Sequence, residues 1–253
     1  SASETYSAGG GVAVVRARNV AITATNVAHC FARGVSRVNN VFVSGGGVFA
    51  QAESLFLESS SINSSGVADA STARVVASGG GALGTKNVTA VRICNSRFYD
   101  NSDSSSTGVV LLQQLNLESG MVVNISGSVL STDPSISIAL PAVNISCGWN
   151  CSAEQQKRVR LYVENSTLLA QNPSGESYQS AAVMSLPSGS IVAAVNSFLQ
   201  CNFKSDDSIA ALAKADADRI LITCAPCDKP FFIAMTSRTL NLSLFSSFAA
   251  QAA

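Results

Sequence analysis

Residues 20–27 read VAITATNV and residues 55–62 read LFLESSSI. The same eight-column block returns as VRICNSRF at 91–98, VNISGSVL at 123–130 and LYVENSTL at 161–168. Successive starts are 35, 36, 32 and 38 residues apart. Columns one and three are aliphatic in all five copies: Val20/Ile22, Leu55/Leu57, Val91/Ile93, Val123/Ile125 and Leu161/Val163. Alternation of this kind marks a strand with one buried face. Column two holds Ala21, Phe56, Arg92, Asn124 and Tyr162, as expected of an outward position free to vary. Column five is Ala24, Ser59, Asn95, Gly127 or Asn165. Asn and Gly tolerate a left-handed backbone, which suits a sharp bend between strands. Column six is always a hydroxyl: Thr25, Ser60, Ser96, Ser128, Ser166. Column eight is apolar again (Val27, Ile62, Phe98, Leu130, Leu168), so the chain has turned a corner and re-entered a core.

A second signal precedes the block. Gly-Gly-Gly occurs at 9–11, 45–47 and 79–81, followed by Val12, Val48 and Ala82. Each unit therefore reads as strand, bend, strand, loop, glycine triplet and a third strand such as 12–15 or 48–50. One unit cannot bury its apolar face alone, whereas stacked units bury it continuously by parallel pairing with their equivalents above and below. The predicted fold is all-β: a right-handed parallel β-helix, the hand following the general preference of parallel crossovers. About seven coils of roughly 35 residues fit the chain, and at ~4.8 Å per rung they make a rod about 35 Å long. A helical repeat of similar length is excluded by the period of two and by the Gly, Ser and Asn that fence each block. The one helix-like stretch is 208–219 (SIAALAKADADR).

The expected organisation is a single β-helix over 1–253, a fragment of a longer chain. Clear repeats span 9–168, an insertion with a cysteine loop spans 133–160, and degenerate coils span 187–253. Within the last region 191–198, 220–222 and 240–248 continue the strands.

Composition bounds the setting. Of 253 residues, 47% are hydrophobic and only 13% charged, about half the usual charged share. Ser, Thr, Asn and Gly must solvate the surface. Sixteen basic and sixteen acidic residues cancel, which argues against nucleic acid, whose phosphates need concentrated cations. No apolar run approaches the ~20 residues of a membrane span. Seven Asn-x-Ser/Thr acceptors, at Asn63, Asn87, Asn124, Asn144, Asn150, Asn165 and Asn241, accompany seven cysteines. Together they point to an extracellular or cell-surface glycoprotein made by a eukaryotic secretory route. The cysteines read as disulfides pinning loops, Cys147 with Cys151 most locally and Cys224 with Cys227 next. Seven is odd, so one thiol is free or pairs outside the chain.

The glycine step Gly45-Gly46-Gly47-Val48, with a downstream aromatic step Phe98-Tyr99-Asp100-Asn101, resembles the repeats of polymorphic outer-membrane proteins. It is also similar to repeats of large Ser/Asn-rich β-helical surface glycoproteins of protists. The resemblance covers 9 to about 168. It implies a β-helical passenger used for adhesion or surface architecture.

Catalytic apparatus is sparse. Glycoside hydrolysis needs two carboxylates at a fixed separation, and the acidic pairs are Asp206/Asp207 and Asp216/Asp218. They stand as weak candidates in a polar, loop-like region. His29 is the sole histidine and lies at a corner without a nucleophile-elbow pattern. Cys224-Ala-Pro-Cys227 lacks a second half for zinc at ribbon spacing. No metal or cofactor is expected. The function expected from this reading is an extracellular structural or adhesive module, part of a coat or filament. Its partners would be other subunits or cell-surface glycans, with end-to-end assembly natural to a solenoid. A carbohydrate-active enzyme, or a carbohydrate-binding module without turnover using Phe56, Tyr99 and Tyr162, are the alternatives; these three aromatics are not expected to share one column.

Overall fold

A computed structural model describes residues 5–34, 41–69, 75–103, 109–114, 120–132, 142–147, 159–170, 184–185, 190–195, 198–201, 217–222 and 231–233. Those residues form strands and bends and contain no helix. The first coil comprises β1 (Thr5–Ala8), β2 (Val12–Thr23), β3 (Asn26–Ala28) and β4 (Phe31–Gly34). The second comprises β5 (Val41–Ser44), β6 (Val48–Glu58), β7 (Ser61–Asn63) and β8 (Gly66–Asp69). The third comprises β9 (Val75–Gly79), β10 (Leu83–Lys86), β11 (Ala90–Cys94) and β12 (Arg97–Asp103). Equivalent strands pair in parallel, so the fold is a parallel β-solenoid.

Two walls carry on. β10 pairs β13 (Val110–Gln114), and β11 pairs β14 (Met121–Ser126). β12 pairs β15 (Val129–Thr132). The ladders continue through β16 (Val143–Cys147), β17 (Val159–Glu164), β18 (Thr167–Ala170), β19 (Met184–Ser185), β20 (Ser190–Val195) and β21 (Phe198–Cys201). β22 (Ala217–Ile222) pairs β20 in parallel, whereas β23 (Phe231–Ile233) pairs β22 antiparallel and breaks the pattern. Coils with every wall described number about three, because the β1-β5-β9 sheet has three strands; the expected seven is not reached on that count.

The columns inferred from the sequence are the register of the sheets. Val20 pairs Leu55, Leu55 pairs Val91, Val91 pairs Val123 and Val123 pairs Leu161. Columns one and three point inward, and from the second copy on they are at most 2% exposed. With column eight they form one continuous core from Val20 to Leu168. Each fully buried aliphatic side chain contributes about 1.5–3 kcal/mol. Among the described residues the first coil has a neighbour on one side only. Val12, Val14, Ala17 and Ile22 are accordingly half-buried.

Column five is left-handed in all five copies, with φ of 47° at Ala24, 50° at Ser59, 48° at Asn95, 57° at Gly127 and 46° at Asn165. Column six then has a specific duty. Each serine hydroxyl donates to the carbonyl two residues earlier: Ser60 to Glu58 at 2.8 Å, Ser96 to Cys94 at 2.7 Å, Ser128 to Ser126 at 2.8 Å and Ser166 to Glu164 at 2.7 Å. The same oxygen accepts the backbone N–H of its counterpart one coil earlier. Thr25 donates to Ser60 at 3.2 Å, Ser60 to Ser96 at 3.2 Å, Ser96 to Ser128 at 3.1 Å and Ser128 to Ser166 at 3.1 Å. The serines are at most 4% exposed. A bend leaves one N–H per coil out of the strand ladder, and a buried N–H without a partner is costly. A short hydroxyl fits that space.

A second bend uses the same device. The backbone N–H of Cys30 donates to Ser65 Oγ at 3.3 Å, and that of Ser65 to Asn101 Oδ1 at 3.1 Å. Asn101, fully buried, also donates from Nδ2 to the Ile62 carbonyl at 2.8 Å. This explains the asparagine of the aromatic step.

Three expectations need correction. The third glycine triplet is offset by one residue. Val48 pairs Leu83, so Gly80 rather than Gly79 stands above Gly45, and Ala82 takes the place of Gly47. The conserved requirement is φ near +70° at Gly9, Gly45 and Gly80. The next column, Gly10, Gly46 and Gly81, touches backbone: a Cβ on Gly46 would overlap the Gly66 carbonyl. Second, two walls were missed, β1-β5-β9 and β4-β8-β12. Third, the helix-like stretch 208–219 ends in strand, since 217–219 belong to β22; 208–216 lie outside the described residues. Residues 143–147 of the span 133–160 form β16, a rung between β13 and β19.

Candidate functional site

The first bend of the first three coils forms an open groove of about 300 Å³. Its walls are Ala24, Thr25 and Asn26 from coil one, Ser59, Ser60 and Ser61 from coil two, and Asn95 and Arg97 from coil three. These residues lie far apart in sequence and come together through the 35- and 36-residue stacking of columns five to seven. Backbone groups at the corner are occupied: Ser61 N–H donates to the Thr25 carbonyl and Arg97 N–H to the Ser60 carbonyl, each at 2.9 Å. Side chains of the groove are less committed. Ser61 Oγ donates to Asn26 Oδ1 at 2.8 Å, and the Asn26 amino group has no acceptor among the described residues. The exposed Arg97 guanidinium makes no ion pair among the described residues. No carboxylate lines the groove. A side chain at Gly127 would meet Asn95 Oδ1, the far end of an exposed side chain, so Asn95 would have to shift.

The wall formed by β6, β11, β14 and β17 presents column two to solvent. Phe56, Arg92, Asn124 and Tyr162 follow one another rung by rung. The Arg92 guanidinium lies 5.5 Å from the Phe56 ring centroid. Phe56 and Tyr162 therefore do share a column, three rungs or about 14 Å apart at the usual strand spacing. Tyr99 lies on the next wall, 40% exposed.

Cys94, in column four, is buried and free, and Cys30 is free and half-buried. Cys94 Sγ accepts from Arg92 Nε at 3.1 Å and from Ser126 Oγ at 3.2 Å. Arg92 is thus held between a ring and a sulfur.

The sequence-derived candidates fare as follows. Asp218 sits in β22 at a register shift between Ser190/Ala217 and Ile191/Arg219. Asp206, Asp207 and Asp216 lie outside the described residues. Cys147 ends β16, and Cys151, Cys224 and Cys227 lie outside them. Among the acceptor asparagines, Asn87, Asn124 and Asn165 are exposed, while Asn63 and Asn144 are half-buried. Asn63 Oδ1 is buried without a hydrogen bond. Asn150 and Asn241 lie outside the described residues. His29 is exposed with φ of 55°, one rung from Ser64 and two from Asp100. Ser64 stands between the other two, whereas a triad needs the histidine between acid and nucleophile. No group of three or more metal-binding side chains occurs among the described residues, and no helix there is long and apolar enough to cross a membrane.

Compared with known proteins, the chain matches no family model, no curated protein and no solved structure.

Proposed function

We propose that this chain is a module of an extracellular structural or adhesive glycoprotein, built into a surface coat or filament. One observation carries the proposal. β2 pairs β6 on one side, over 12–14 and again over 17–23 with a register shift between Val14 and Ala17, and pairs no described strand on the other. Strand N–H and C=O groups that face no partner are a template for a further strand, and a solenoid end is continued, capped or stacked. Apolar side chains accompany it: Val15 is 57% and Phe31 58% exposed. The low charge and the Ser/Asn-rich surface fit a secreted setting. The resemblance of the glycine and aromatic steps to polymorphic outer-membrane and protist surface repeats belongs to the same reading.

Sedimentation and negative-stain microscopy of the secreted chain test it. The expected result is concentration-dependent end-to-end association that Val15→Lys weakens, since charge on an edge blocks strand addition. A glycan-free chain that stays monomeric at every concentration overturns the proposal.

A second reading, carbohydrate binding without turnover, is favoured by the shared column of Phe56, Arg92, Asn124 and Tyr162. Glycan binding that survives Tyr162→Ala and Phe56→Ala counts against that face.

A further inference from the structure

We propose that the corner groove over coils one to three binds an acidic saccharide, with Arg97 holding its carboxylate or sulfate. The inference deepens the adhesive reading and rests on it for the biological setting, though not for the geometry.

The argument starts from unused hydrogen-bonding capacity. One column away, the serines of the buried ladder spend both donor and acceptor on the fold. In the groove the reverse holds. The Asn26 amino group, the Ser59 hydroxyl, the Asn95 carboxamide and the Arg97 guanidinium have no hydrogen-bond partner among the described residues. Four such groups gathered in one concavity are an interaction surface for a polar ligand.

Charge decides what kind. The lining holds one cation and no anion. A guanidinium without a carboxylate partner presents a planar fork that matches a carboxylate or sulfate in two parallel hydrogen bonds. The remaining groups are hydroxyls and carboxamides, spread over two rungs or about 10 Å at the usual spacing. They suit a chain of ligand hydroxyls better than a compact anion, which would engage Arg97 alone. A disaccharide with one acidic residue spans the groove, its acid at the coil-three end and its neutral sugar toward Asn26 and Ala24.

The fold keeps the backbone under the lining rigid. The three bends share left-handed φ values within 3° of one another, from 47° to 50°. Thr25, Ser60 and Arg97 are tied coil to coil through backbone bonds. Binding therefore orders side chains, Arg97 above all, but no backbone.

The test is titration calorimetry of the full secreted chain with three disaccharides: one containing glucuronate, one sulfated, and a neutral analogue. The expected result is binding of one or both acidic probes and none of the neutral one. Affinity falls with added salt, and Arg97→Gln weakens it at least ~10-fold, the worth of a charged hydrogen bond. Asn26→Ala weakens it less. Arg97 is exposed, so circular dichroism of Arg97→Gln should match the parent. Equal binding of the neutral sugar, indifference to Arg97→Gln, or no binding at millimolar sugar overturns the proposal. A glutamate tripeptide that competes as well as the sugars reassigns the groove to acidic peptide. Loss of sugar binding with end-to-end association intact removes the groove site and leaves the adhesive module standing. The opposite pattern removes the module and leaves the site.

Discussion

Replacing Ser96 with Ala isolates the energetic worth of the hydroxyl ladder. Two hydrogen bonds disappear, and they are unequal. The bond from Ser96 Oγ to the Cys94 carbonyl is lost with its donor, but that carbonyl still accepts the Ser59 N–H at 3.0 Å. The Ser60 N–H, which donates to Ser96 Oγ at 3.2 Å in a buried corner, is left without an acceptor. An unsatisfied buried donor costs about 1–3 kcal/mol, so a loss near 2 kcal/mol is expected. Thr25→Ala is the internal control. Its exposed hydroxyl bonds the Thr23 carbonyl at 2.8 Å, and no described coil lies beyond it to deliver an N–H. Its cost should stay within about 0.5 kcal/mol. Urea unfolding followed by far-ultraviolet circular dichroism separates the two. Ser96→Ala should lower the midpoint by roughly 0.5–1 M at unchanged slope. Equal midpoints for the two variants would show that the hydroxyls fill space and do not satisfy the corner.

Three further predictions concern other parts of the coil. Phe98, the largest fully buried side chain among the described residues, should cost about 3–5 kcal/mol on replacement by Ala; a midpoint within error of the parent's would mean that the core closes over the gap. Ala24 holds a left-handed φ of 47° in an exposed position, so Ala24→Gly should raise stability by about 0.5–1 kcal/mol, and a lowered urea midpoint contradicts that. In chain secreted from eukaryotic cells, peptide mass mapping should find glycan on the exposed Asn87, Asn124 and Asn165 and none on Asn63. A sugar on Asn63 would show that the wall beside Tyr99 is packed differently.

Much of the solenoid can be deduced from the chain because its columns are chemical. Aliphatic pairs at one and three, a left-handed residue at five and a hydroxyl at six reproduce the pairing of Val20 with Leu55, Val91, Val123 and Leu161. The deduction weakens where a column is diluted. In the sixth copy Leu161 pairs Val192 and Leu168 pairs Leu199, so the block runs 192–199 rather than the expected 191–198. Ile191 is apolar in a column that faces outward in earlier coils, and column three has shrunk to Ala194. The two missed walls contain strands such as Gly66–Asp69, too short and too polar for alternation to show. The groove was overlooked for another reason. Asn26, Ser61 and Arg97 are unremarkable within their own coils, and register alone aligns them. The chemical reading of His29 gains nothing, since the histidine is misordered in its column, and Asp206, Asp207 and Asp216 lie outside the described residues.

The ladders also fix how the module responds to force. Hydrogen bonds between coils run along the stacking axis, as do the serine bonds of the corner. A pull along that axis loads one rung at a time, so coils peel away in sequence at low tension. A pull within the plane of a coil instead shears a whole strand pair, in which every bond resists together. A tether attached to the side of the stack would hold under a load that separates coils pulled from their ends.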